Sequence, residues 1–263
     1  MPIEWLLYPL MGVVAGLLAG LLGVGGGLVL VAALVLVLPS QGVPANVVMH
    51  AALATSLASV VITGIASTRA HARRGAVLWA SVGWLGPGLV LGGWLGSLLA
   101  TRLDGNSLRW FVVGYCLLAA LQLLFGFPRS HSAHPTPPRG AALTTAGVGI
   151  GAVSALVGIG GGSMTVPVLI WHGVAPVRAV GTSAACGIVI GLAAATGYAF
   201  SADVHGMPAA SLGYVYLPAA IGISVTSALM APLGASLAHR ASPAVLRRVF
   251  AGFLVLMAAL LSF

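Results

Sequence analysis

Apolar residues occupy eight long stretches, Leu6 to Leu38, Val47 to Ser67, Val77 to Ala100, Trp110 to Phe125, Ala141 to Ile170, Ala179 to Phe200, Ala210 to Leu237 and Val249 to Phe263. About 20 such residues cross some 30 Å of hydrocarbon as a helix, so most of these stretches are predicted membrane spans. Short polar turns separate them. The exception is FPRSHSAHPTPPRG, which lies between the fourth and fifth stretches. It is polar and rich in proline, cannot bury itself, and reads as a solvated linker. The pattern divides the chain into a first transmembrane unit at 1–126, a linker at 127–140 and a second unit at 141–263.

Composition agrees with the pattern. Hydrophobic residues make up 59% of the chain and charged residues only 5%, against about 25% charged in ordinary soluble domains. A water-soluble globule is excluded, and the fold class is an all-α integral membrane protein. The two cysteines, Cys116 and Cys186, fall inside predicted spans and are expected to pack as small residues without forming a disulfide. Glu4 precedes the first stretch and no basic segment does, which does not resemble a cleaved signal peptide.

The two units repeat each other. GLLAGLLGVGGGLVLVAALV from Gly16 matches GAVSALVGIGGGSMTVPVLI from Gly151, with the glycines coinciding at one constant offset. Ala54-Thr55-Ser56 corresponds to Gly181-Thr182-Ser183, and GSLLATRL from Gly96 to GASLAHRA from Gly234. Three matches in the same order indicate duplication.

Charge selects a topology. Eight simple crossings would divide the eleven arginines almost evenly between the two sides, against the positive-inside bias. If the first segment of each half instead enters and leaves on one side, folded at its glycine cluster, each half crosses three times and the second half is inverted. One side then collects Arg69, Arg73, Arg74, Arg129, Arg139, Arg178, Arg240, Arg247 and Arg248, leaving Arg102 and Arg109 opposite. The expectation is a pair of inverted repeats whose first and fifth segments are broken or re-entrant at GVGGG and GIGGG. The arginine-rich loops and the linker would be cytoplasmic. Arginines in such loops orient helices, so nucleic acid is not an expected partner; the bilayer is.

The glycine runs carry the candidate chemistry. Gly25-Gly26-Gly27 and Gly160-Gly161-Gly162 are poor material for a continuous helix. A break at membrane depth is tolerated only where the freed backbone groups face protein, water or ligand. The half-helices resuming at Leu28 and Ser163 would present N–H donors and the positive end of the helix dipole, which is an anion site. Thr55, Ser56, Thr182 and Ser183 in the following helices, with Ser163 and Thr165, supply hydroxyls suited either to the ligand or to holding helices together. The predicted substrate-binding set is Gly25, Gly26, Gly27, Leu28, Thr55, Ser56, Gly160, Gly161, Gly162, Ser163, Thr182 and Ser183. Replacing Gly26 and Gly161 with leucine is expected to stop transport in a protein that still folds.

No arginine or carboxylate lies mid-span, and the candidates for proton coupling are His50 and His172 near segment ends. His131 and His134 of the linker lack further ligands nearby, so no metal is expected. Neither glycine run fits a nucleotide loop, since Leu28 and Ser163 fall where GxGxxG needs glycine and the chain has no lysine. No cofactor is predicted.

With GVGGG in segment one, GIGGG followed by Pro167 in segment five, and ATS and GTS in segments two and six, the whole chain resembles the sulfite exporter TauE/SafE family, or toluene sulfonate uptake permeases. The resemblance implies a bacterial inner-membrane transporter of sulfite, sulfoacetate or other small sulfur-containing anions, commonly an exporter. It places the signature on Gly23, Gly25, Gly26, Gly27, Thr55, Ser56, Gly158, Gly160, Gly161, Gly162, Pro167, Thr182 and Ser183. The first half departs from it at Ala32 and Ala54. A passive anion channel is the alternative reading. An intramembrane enzyme would need Ser163 as nucleophile and His172 as base, which a helix turns in different directions, so the chain is not read as an enzyme.

Overall fold

The computed structural model describes residues 4–23, 26–125, 138–201, 206–240 and 243–262. Gly25, His131, His134 and most of the linker lie outside them. The described chain is helical almost throughout: α1 (Glu4–Leu22), α2 (Gly27–Val37), α3 (Val48–Ala72), α4 (Trp79–Ala100), α5 (Gly105–Phe125), α6 (Ala141–Val157), α7 (Gly162–Trp171), α8 (Pro176–Ala199), α9 (Leu217–Ala238) and α10 (Pro243–Ser262). A two-stranded antiparallel hairpin, β1 (Ser211–Leu212) and β2 (Val215–Tyr216), precedes α9. It occupies the start of the stretch predicted from Ala210 as continuous span, where Gly213 makes the turn at φ 56°.

The first and fifth apolar stretches are each two helices broken at their glycines. Gly26 (φ 68°) and Gly161 (φ 73°) adopt the left-handed conformation that side chains rarely accept. Each break folds against the helix that leads into it, after which α2 lies beside α1 and α3 and α7 beside α8. A Cβ on Gly26 would stand 2.3 Å from the Ala15 carbonyl oxygen, and one on Gly161 would stand 3.3 Å from Ile150 of α6 and 2.4 Å from Ile190 of α8. This corrects one expectation. Leucine at either position meets these neighbours in a backbone that side chains rarely accept, so such variants are expected to lose stability as well as transport.

Five helices, α3, α4, α5, α8 and α9, are long and apolar enough to cross a bilayer. In α3 and α8 the most apolar stretch is 78% buried, against 39% or less in the other three, which makes these two the central pair. Around them α1 packs along α9 and α6 along α4, while α5 pairs with α10. Glycines permit the two flanking contacts: a Cβ on Gly16 would meet the Ser227 carbonyl at 2.4 Å, and one on Gly92 the Val148 carbonyl at 2.0 Å.

The outer surface is apolar. On α9 every fourth residue from Leu217 through Ile221, Val225, Leu229, Leu233 and Leu237 is exposed, a stripe suited to lipid rather than water. Buried hydroxyls and histidines concentrate inside, above all on α3. Cys116 and Cys186 are buried and free.

Candidate functional site

The two breaks meet at the centre of the molecule. A Cβ on Gly27, at the start of α2, would lie 2.3 Å from the Gly158 carbonyl oxygen of the other break. Ser56 of α3 ties them together, its hydroxyl lying 3.0 Å from the Gly27 carbonyl and 2.9 Å from that of Gly158. Ser183 of α8 makes the corresponding bond to the Gly23 carbonyl at 3.0 Å. Each half thus holds the broken segment of the other through a serine.

The neighbouring threonines serve helix starts. Thr55 accepts a hydrogen bond at 3.0 Å from the Tyr216 N–H, just before α9, and Thr182 one at 3.0 Å from the Leu78 N–H, just before α4. Thr182 also donates to the Arg178 carbonyl at 2.7 Å. These four hydroxyls are fully buried and engaged with backbone. Of the remaining predicted residues, Leu28 and Gly162 are buried in the first turns of α2 and α7. Ser163 hydrogen-bonds the Tyr115 hydroxyl of α5, and Gly160 faces Gly187 of α8.

The second break carries something the first does not. The hydroxyls of Ser154, in the last turn of α6, and Thr165, in the first turn of α7, are wholly buried without a hydrogen-bond partner. The Ser154 oxygen lies 3.2 Å from where a Gly161 Cβ would be. The equivalent residues of the first half are Ala19 and Leu30, which need no partner. Buried hydroxyls left unpaired cost about 1–3 kcal/mol each. Next to them the first N–H groups of α7 have no partner within the helix. All of these groups lie within a turn of the second break.

Beside the breaks lies a narrow void, too tight to admit a water molecule, lined by Ala19 and Gly23 of α1, Val60, Gly64 and Ser67 of α3, and Ala184 and Gly187 of α8. Its walls are small side chains. Gly187 borders Gly160 and so connects this space to the second break. Leu57 of α3 occupies the place in the first half that Ala184 occupies in the second.

Sequence reading did not single out the polar stripe Ser59, Thr63, Ser67 and His71 on α3, all buried. Its i, i+4 spacing was the available signal. Thr63 bonds Ser227 of α9 at 2.5 Å, and Ser67 approaches the Ala19 carbonyl at 3.5 Å. His71 Nε2 lies 3.1 Å from the Gly20 carbonyl.

The two histidines proposed for proton coupling are placed differently. His50 is buried at the opposite end of α3, with Nε2 2.9 Å from the Leu103 carbonyl and its ring stacked on Tyr214 at 5.2 Å. His172 is exposed and bonds only the Val168 carbonyl of its own helix, at 2.8 Å. It sits at the far end of α7 from Ser163.

Comparison with known proteins identifies the family. The family profile described as "Sulfite exporter TauE/SafE" matches residues 8–261. A "Probable membrane transporter protein" of Haemophilus influenzae is 39% identical over 259 residues, covering 96% of both chains. One of Methanocaldococcus jannaschii is 28% identical over 272 residues, covering 96% of this chain and 94% of its own. No solved structure matches the chain.

Proposed function

The chain belongs to the sulfite exporter TauE/SafE family and is a multi-pass membrane transporter; from that premise we propose that it exports small sulfur-containing anions, with sulfite, sulfoacetate and related organosulfonates as substrates, through a single site at the second glycine break. The observation that carries this reading is the pair of buried, unpartnered hydroxyls, Ser154 and Thr165, beside the N-terminus of α7. An oxyanion there accepts hydrogen bonds that nothing else in the site uses, and the helix N-terminus favours its charge. Thr55, Ser56, Thr182 and Ser183 act in this reading by holding the breaks in place, and Gly26, Gly27 and Leu28 form the wall opposite.

The reading extends to architecture. The two halves are inverted repeats in the inner membrane with the arginine-rich loops in the cytoplasm. Its support is the reciprocal packing of α1 on α9 and of α6 on α4, together with nine of eleven arginines assigned to one side. The test is flux of radiolabelled sulfite and sulfoacetate in proteoliposomes, with chloride and sulfate as controls. Selective flux is expected in the wild type and a loss of at least about tenfold in a Ser154→Ala, Thr165→Val double variant, one order of magnitude being 1.4 kcal/mol of lost interaction. Unchanged flux in that variant would overturn the site.

A further inference from the structure

The arginine-rich end of the void is closed by a second cluster of polar groups. One turn beyond Ser67 on α3, His71 is completely buried, its Nε2 on the Gly20 carbonyl and its Nδ1 without any partner. Its ring lies 5.4 Å from that of His239, the residue that ends α9. The Arg74 guanidinium, in the turn after α3, acts electrostatically on both rings. Arg74 and His239 are exposed while His71 is not, so the cluster runs from solvent toward the wall of the void at Ser67 and Ala19.

Its charges are of one sign. From α1 His71 meets the Gly20 carbonyl, and from α8 the backbone at Gly181. His239 from the end of α9 and Arg74 from its own turn are the titratable and charged groups that bear on it, and neither is an acid. Like charges gathered around a buried, unpaired nitrogen repel one another, and an anion seated among them removes that repulsion. Burial and Arg74 hold His239 below its ordinary value, which leaves it ready to take a proton when an anion arrives. The other half is built differently. The residue equivalent to His71 is Tyr198, which makes the matching bond to the Ala155 carbonyl at 3.1 Å and carries no charge at neutral pH.

We propose that His71, His239 and Arg74 form a second anion-binding station at the arginine-rich end of the void, which takes a small oxyanion together with a proton. The anion binds between the guanidinium and the two rings, and the proton goes from solvent to an imidazole nitrogen. The inference rests on the reading of the chain as an anion transporter, and a binding measurement separates the two.

The experiment uses the full chain in nanodiscs of phosphatidylcholine, with equilibrium binding of radiolabelled sulfite measured between pH 5.5 and 8.5 for the wild type, His71→Gln and His239→Gln. Glutamine at 71 retains a donor for the Gly20 carbonyl, and residue 239 is exposed, so both variants are expected to stay monodisperse. The anion's own titration is common to all three proteins and cancels in the ratio of variant to wild type. Wild-type affinity is expected to fall by up to about tenfold per pH unit more steeply than that of either variant above the imidazole titration. Profiles that coincide would overturn the station. Sulfite binding that shows the expected difference without any flux in proteoliposomes would support the station and count against the transport reading.

Discussion

Ser56 and Thr165 are both buried hydroxyls beside the glycine breaks, one reaching them from α3 and the other in the first turn of α7, yet they stand in opposite energetic positions. Ser56 satisfies carbonyls on both breaks, so Ser56→Ala leaves buried acceptors short of a partner at a cost of about 1–3 kcal/mol. A clear drop in the thermal midpoint of the detergent-solubilised protein is the expected result. Thr165 satisfies nothing in the unliganded protein. Thr165→Val keeps its shape, removes an unpaired polar atom, and is expected to leave the midpoint unchanged or raise it while reducing sulfite flux. Opposite effects on stability and transport identify a residue reserved for a ligand. A lowered midpoint in Thr165→Val would show instead that the hydroxyl supports the fold.

Among the elements, α4 and α9 begin under the control of the opposite half, since Thr182 receives the N–H before one and Thr55 the N–H before the other. Thr182→Val and Thr55→Val each orphan one buried N–H, so losses of similar size, about 1 kcal/mol each, are expected from unfolding measurements. A loss in only one would argue that the reciprocal arrangement is not energetically equivalent. Helix α5 starts locally instead. Asp104 accepts bonds from the Ser107 hydroxyl, at 2.6 Å, and from the Ser107 N–H, at 2.9 Å, and these hold its carboxyl below the usual carboxylate range. A carboxyl depressed by folding contributes stability above its unfolded pKa and loses it as pH falls through the folded value. Asp104→Ala should therefore lower the thermal midpoint at pH 7, with the gap from wild type closing in acid below the ordinary carboxylate pKa of about 4. A gap that stays constant into acid would mean the cap acts without its charge.

For the whole molecule the open question is sidedness, and the inverted arrangement makes a direct forecast. Cys116 and Cys186 are buried, so cysteines added by Gly75→Cys and Asn106→Cys can be read against a low background. In intact cells a membrane-impermeant maleimide should label the protein at 106 and spare it at 75; the reverse would invert the topology. Much of this architecture was legible in the chain. Long apolar runs with few charges require a lipid-facing helical protein, and glycine triplets break helices because no other residue accepts their left-handed backbone so cheaply. Both are local properties, written in hydropathy and in φ, and the duplication was visible because matching strings recur in order. The partners of particular polar atoms were not visible, because they depend on helices distant in the chain. Nothing near Ser56 in sequence indicates that it bonds Gly158, and Ser154 and Thr165 look no different from hydroxyls that do find carbonyls. His71 was passed over because its significance comes from His239, which only the packing of α9 beside α3 brings to it. Sequence alone determined the solvent, the helices and the places where they break, since these follow from the transfer energy and backbone freedom of each residue. Which buried hydrogen-bonding groups are left unpaired was decided by tertiary structure, because satisfaction of a polar group is a property of the pair and not of the residue.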